Sequence, residues 1–233
     1  MLGNIDVSFA TADAEQEFMV LAASHETAEG DALLHAVLSQ PNAHYLKKSL
    51  RWVLSVAGLE QYELIPGSGA LLDQLIANLA EADDRTYVVV GQAHAGASGL
   101  PKLIADNITT IAGQQLAMAI SESDSEPDAN ALEAEEQLLN LTHTNGRGTQ
   151  ARVINYLVAS YLPLHTLVAQ QLANGGKLAR VQTKRSRLST NRAVLKVLFS
   201  FSNNGQWEQY AVRVDAHGRY PFMVTDVHPA TLA

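Results

Sequence analysis

Lys177, Arg180, Lys184, Arg185, Arg187 and Arg192 fall within sixteen residues. Ammonium and guanidinium groups at this density bind carboxylates or phosphates, the arginines through two parallel N–H donors. Nucleic acid is disfavoured as the partner, because no stacking aromatics are interleaved with these cations and the rest of the chain is acidic. Two settings remain. The cations face an acidic surface of this chain or of a second copy, or stay solvated. Alternatively they take an acidic peptide laid beside a strand, with Arg capturing its Asp and Glu side chains. The candidate peptide-binding residues are Arg180, Lys184, Arg185, Arg187 and Arg192.

The other chemistry-bearing residues assemble into nothing recognisable. Eight histidines stand at 25, 35, 44, 94, 143, 165, 217 and 228, with no HxH, HxxxH or HExxH spacing among them. Spacing therefore offers no helix-borne metal pair. His25 beside Glu26, and Asp31 one helical turn before His35, bring imidazole near carboxylate. Such pairs read as exposed polar side chains, and a zinc shared between subunits is the alternative. With no cysteine, thiolate catalysis and Cys-ligated metal are excluded. Pro66-Gly-Ser-Gly-Ala-Leu-Leu72 follows a strand pattern and opens a helix, as a dinucleotide-binding turn does. Leu72 occupies the position where close packing would require a small residue. His94 and Ser98 share a Gly/Ala-rich stretch without a G-x-S-x-G elbow around the serine. No catalytic residue, metal ligand or cofactor is assigned.

The elements that must position the cations follow from periodicity. Residues 1–146 hold 21 Asp and Glu against 5 Lys and Arg, a balance of −16; residues 147–233 hold 3 against 11, a balance of +8. The two sum to the net −8 of the 233-residue chain and predict two units that dock by charge, within one chain or across a homodimer. The polar stretch 121–131, interrupted by Pro127, reads as the linker, so the units are an acidic α+β unit at 1–126 and a basic one at 127–233. In the first, Phe18–Ala23 reads as a short strand, a helix opens at Gly30-Asp31 and is broken by Pro41-Asn42, 50–56 with 61–65 reads as a hairpin, 70–81 as an amphipathic helix and 87–91 as a strand. Residues 92–102 read as loop, and 103–120 shows no clear period.

In the second unit a helix is expected over about 129–142. A longer helical pattern from Val153 to Leu172 is broken after about 161 by Pro163. The period then changes to two. Residues 178–188 form a polar, basic strand with Arg180 and Lys184 on one face and Arg185 and Arg187 on the other. Ala193, Leu195, Val197, Phe199 and Phe201 alternate along the next strand, Asn203-Asn-Gly205 turns the chain, and Tyr210, Val212 and Val214 return. An edge strand follows at 221–225. The fold class is α+β, the second unit being a helix packed on an antiparallel β-meander. Trp52 and Trp207 read as strand residues packed in the core.

Several of these segments, taken in order, resemble a known family. Ser49-Leu-Arg-Trp-Val-Leu-Ser-Val-Ala-Gly-Leu-Glu-Gln-Tyr-Glu-Leu-Ile-Pro66 is similar to a Trp-containing strand pair in the C-terminal regions of the cyanobactin maturation proteases (PatA/PatG type). Arg152–Leu157, Leu178–Ser186, Val197–Phe201, Tyr210–Asp215 and Tyr220–Thr225 follow the terminal domain of that family in order. The region is of unassigned function there and sits behind a subtilisin-like peptidase. No Asp-Ser/Thr-Gly, His-Gly-Thr-His or Gly-Thr-Ser-x-Ala-x-Pro occurs in this chain, so cleavage and macrocyclisation do not carry over. The Cys-containing, acidic-aromatic stretch common in the family's last domain is replaced by Ser186-Arg-Leu-Ser-Thr-Asn-Arg192.

The resemblance implies a non-catalytic binding or scaffolding protein in maturation of a ribosomally synthesised, modified peptide. Its partners would be the precursor or leader peptide and other maturation enzymes. The alternative is a peptide-modifying enzyme with an unrecognised, metal-assisted site. No run of eighteen apolar residues and no secretory signal are present, so a cytoplasmic protein without membrane partners is expected.

Overall fold

The computed structural model describes residues 1–25, 28–80, 85–96, 99–112, 129–142, 146–186, 192–218 and 220–230. The chain divides into two compact units, Gly3–Thr110 and Ile111–Ala233, the second also taking in Met1–Leu2. The boundary expected at 126/127 lies within 113–128, outside the described residues, as do Ser98, Arg187 and His143. The class is α+β, with six described α-helices and two sheets. None of the helices is long and apolar enough to cross a membrane.

The first sheet is a closed barrel of five strands: β1 (Leu2–Phe9), β2 (Leu50–Val56), β3 (Leu59–Pro66), β4 (Arg85–His94) and β5 (Lys102–Ala112), in the order β1-β2-β3-β5-β4. β1, β2 and β3 pair antiparallel, and β3 pairs parallel with β5. Helix α3 (Gly69–Asn78) connects β3 to β4. This is the connectivity of the OB-type Greek-key barrel, although such a fold names no ligand by itself. Trp52, Leu54, Tyr62, Leu64, Val89, Leu103 and Ile108 are buried within it. Ala57 and Gly58, both at positive φ, close the β2–β3 hairpin expected from sequence.

Two expectations fail in this unit. Phe18–Ala22 is the second half of helix α1 (Ala12–Ala22) and Ala23 its C-cap, not a strand. Thr11 caps α1 by accepting from the Ala14 N–H at 3.3 Å, Asp13 and Glu15 sit in its first turn, and Ala14, Phe18 and Ala22 bury one stripe. The apolar run is thus one face of a helix. Residues 92–94 and 102–112 are not loop or aperiodic chain but the end of β4 and all of β5. Helix α2 (Gly30–Leu38) is as expected.

The second sheet is four-stranded, in the order β6 (Lys177–Arg185), β7 (Val194–Asn203), β8 (Gln206–Asp215), β9 (Phe222–Pro229), every pair antiparallel. Asn204 and Gly205, both at positive φ, form the two-residue turn that sets the β7–β8 register. Leu195, Val197, Phe199 and Phe201 bury one face with Val212 and Val214 opposite them. Helices α4 (Ala129–Asn140), α5 (Thr149–Ser160) and α6 (Leu162–Ala173) belong to this unit. The α5–α6 break falls at Tyr161, with Pro163 inside the first turn of α6 as its fixed φ permits. Gln171 of α6 donates to the Tyr210 hydroxyl at 3.1 Å and to Glu208 at 3.0 Å, which fixes α6 over this apolar face.

Candidate functional site

β6 is an edge strand, and its register decides which backbone groups it leaves open. The Ser186 N–H donates to the Val194 carbonyl at 2.8 Å. Even-numbered residues from Arg180 to Lys184 therefore pair with β7, and Val181, Thr183 and Arg185 turn their N–H and C=O groups outward. These groups offer a strand's worth of hydrogen bonds to an extended chain.

The five candidate cations do not form one cluster. Arg180 and Lys184 project on the face opposite the helices, as alternation predicts. Arg185 lies on the helix side. Arg187 is outside the described residues. Arg192 forms an ion pair with Asp215, which is fully buried, and its guanidinium lies over the Phe222 ring at 5.3 Å from the centroid. The second Asp215 oxygen accepts from the His217 N–H at 2.8 Å. Removing Arg192 would strand a buried carboxylate.

At the Arg185 end of β6 the helix face opens into a cavity of about 780 Å³. Arg147, Thr149, Gln150 and Ile154 line one wall, and Arg185 and Leu195 line the other. Gly148, at φ 94°, precedes α5 and supplies no side-chain cap, and the first turn of α5 lines the cavity. Two guanidiniums and a helix start suit an anionic group. Among the described residues that line it, none is His, Asp or Glu. Sequence pattern alone does not single out Arg147. The available signal is its place beside a helix N-terminus, where a cation opposes the helix dipole.

The remaining candidates are held structurally. Gly67 approaches β5 so closely that a Cβ would run into the Ala105 carbonyl, and Ser68 caps α3 by accepting from the Leu71 N–H at 3.2 Å. The PGSG turn is thus built for packing. The His25 ring contacts Gln40 at 2.6 Å, and His35 contacts Ser39 at 3.2 Å. His165 is buried, with Nε2 bonded to the Val158 carbonyl at 2.8 Å, and burial lowers its pKa. Among the described residues no three His, Asp or Glu side chains converge on a metal position. Trp52 is buried as expected, whereas Trp207 is 55% exposed at the start of β8.

Two family models match the chain, one described as the PatG domain over residues 1–160 and one as PatG C-terminal over residues 121–229. A solved structure, the PatG domain of unknown function, has a TM-score of 0.74 over 99% of this chain and 97% of its own, at 16% identity. That likeness establishes a shared fold. No curated protein matches.

Proposed function

This chain belongs to the PatG domain family, and from that premise we propose that it is a non-catalytic binding module capturing an acidic precursor or leader segment as a fifth strand beside β6. Membership associates the chain with cyanobactin maturation; the capture role is our reading. The observation that carries it is the outward row of Val181, Thr183 and Arg185 backbone groups, flanked by Arg180 and Lys184 on one face and by the Arg147–Arg185 cavity on the other. Backbone pairing supplies affinity and the flanking pockets supply selectivity. Each charge-assisted contact is worth about 1.5–3 kcal/mol when well formed.

Thr183→Pro tests it. The Thr183 N–H points away from β7, so proline removes an outward donor and blocks strand addition while sparing the β6–β7 ladder. A fluorescein-labelled Glu-Val-Glu-Val-Glu-Val-Glu peptide should bind the native chain and lose at least tenfold in affinity with the variant, at unchanged far-UV circular dichroism. Equal anisotropy titrations for the two proteins would refute strand addition.

A further inference from the structure

The spacing of the cations along β6 prescribes what can pair with them. From Arg180 to Arg185 the strand keeps an unbroken register against β7, so its side chains alternate strictly. Arg180 and Lys184 are both exposed, four residues apart on the face turned away from the helices. Arg185, the next residue, is exposed on the helix side. Gln182 stands between Arg180 and Lys184, and its carboxamide oxygen accepts from Arg180 Nε at 3.3 Å and from Nη2 at 2.8 Å. This neutral acceptor leaves the guanidinium charged and holds it along the strand, and a group already held loses less freedom when a partner arrives. Lys184 faces a like charge, Lys196, on β7, and Lys196 faces Arg213 on β8. A carboxylate opposite Lys184 on its outer side offsets that pairing.

We propose that the segment captured on β6 carries three carboxylates in a fixed spacing, Glu-Glu-x-x-x-Glu (Asp serving equally), in a strand antiparallel to β6. The proposal rests on the reading of β6 as a strand acceptor and adds the sequence that it accepts. Residues directly opposite one another on paired strands share a face, with Cβ atoms about 4.5–5.5 Å apart, and opposite charges there attract. Antiparallel pairing is the more stable per residue. It sets the first residue of the segment opposite Arg185, the second opposite Lys184 and the sixth opposite Arg180. The second and sixth carboxylates then share one face, and the first lies on the other, beside the cavity that Arg185 lines. The third and fifth residues stand opposite Thr183 and Val181, both half-buried on the helix side, where β-branched side chains fit. The fourth stands opposite neutral Gln182 and needs no charge. A polyanion without peptide N–H and C=O groups could meet the cations but not the open edge.

Two fluorescein-labelled, amidated peptides of one composition test the spacing on the full chain at low salt. They are Glu-Glu-Val-Thr-Val-Glu and Glu-Val-Glu-Thr-Val-Glu; in the second, no two carboxylates are adjacent or four apart. The first should bind at least tenfold more tightly. Replacing its sixth residue by Gln should cost at least fivefold with the native chain and nothing with Arg180→Gln. Replacing its first residue should do the same with Arg185→Gln. Because each comparison is made on one protein, a general loss of fold in a variant would weaken both peptides alike and not mimic the expected pattern. Equal affinities for the two peptides, with binding still lost in Thr183→Pro, overturn the spacing and leave strand capture standing. A spacing preference that survives both arginine substitutions overturns the register. Tighter binding of the reversed peptide, Glu-Val-Thr-Val-Glu-Glu, overturns the antiparallel direction. Absence of binding by either peptide overturns spacing and capture together. If binding then appears in Glu122→Gln/Asp124→Asn/Glu126→Gln, the chain's own acidic stretch takes the place of a separate partner.

Discussion

The two sheets of this protein solve the edge problem in opposite ways. Strands β1 to β5 pair all the way round, so the barrel leaves no free ladder and its stability comes from apolar burial around Trp52, Leu54, Tyr62 and Leu103. Among the described residues the sheet β6–β9 ends in two edge strands without a further strand beside them, and each is handled by polar chemistry. On β9 the Tyr161 hydroxyl accepts from the Val227 N–H at 2.9 Å and donates to Asp226 at 3.2 Å, so a side chain from the α5–α6 joint occupies part of that edge. On β6 there are cations and outward backbone groups. Positive charge is concentrated in the stretch that carries the open sheet, with 11 Lys and Arg in residues 147–233 against 5 in residues 1–146, which makes the open sheet the half sensitive to mutation of cationic groups, to pH and to salt.

The sharpest test of that contrast is Arg192→Ala. It leaves the buried Asp215 carboxylate without its ion-pair partner, at an expected cost of about 3–5 kcal/mol. Each unit carries one of the two tryptophans, Trp52 in the barrel and Trp207 in the sheet. Urea unfolding followed in Trp52→Phe and Trp207→Phe backgrounds therefore reads the units separately. The loss should appear at the Trp207 reporter and be largely recovered by Arg192→Ala/Asp215→Asn. An equal loss at both reporters would show one cooperative block and dissolve the comparison.

The sheet was the more legible half, for a physical reason. Residues 193–201 alternate without interruption and Asn204-Gly205 demands a two-residue turn, so pattern and turn chemistry specify the same register. Counting outward from that turn places Lys196 opposite Arg213, a pairing implicit in the sequence but visible only once both strands are laid together. The barrel was hidden because β2 is buried on both faces over Trp52–Val56 and shows no alternation. Closure also depends on the parallel β3–β5 pairing across some forty residues, which no local pattern encodes. The Arg147–Arg185 cavity was unreadable for the same reason: its two arginines are far apart in sequence. Arg192 matched the pattern of a binding cation, and only the burial of Asp215 reveals what holds it.

Acid should sharpen the comparison next. Burial lowers the His165 pKa, so the folded sheet unit binds fewer protons than the unfolded chain once the pH drops below the ordinary imidazole value of 6.5. Stability contributed by neutral His165 is complete above that value and is lost as the pH falls through it, by at most about 1.4 kcal/mol per pH unit. The Trp207 transition should move to lower urea between pH 7 and 5, and His165→Asn should flatten that dependence. A native-like slope in the variant would assign the effect elsewhere. A smaller loss, about 1 kcal/mol, is expected for Tyr161→Phe, which removes the acceptor for the Val227 N–H. Faster amide exchange at Val227, with β6 amides unchanged, would localise it to the β9 edge.

The smallest effect has the opposite sign. Lys196 is the middle member of the Lys184–Lys196–Arg213 row, so Lys196→Gln relieves two like-charge contacts while keeping a long polar side chain on the strand. Each contact costs roughly 0.2–1 kcal/mol, and the variant should therefore be more stable than the native chain by several tenths of a kcal/mol at low ionic strength. In 1 M salt, where the screening length falls to about 3 Å, the advantage should largely vanish. Repulsion among these partly exposed charges predicts both the gain and its loss with salt, whereas a gain from packing or strand propensity would survive high salt. A Lys196→Gln chain that melts lower than the native one, or keeps its advantage in high salt, would mean that Lys196 packs favourably along its aliphatic stem and that the row carries no electrostatic strain.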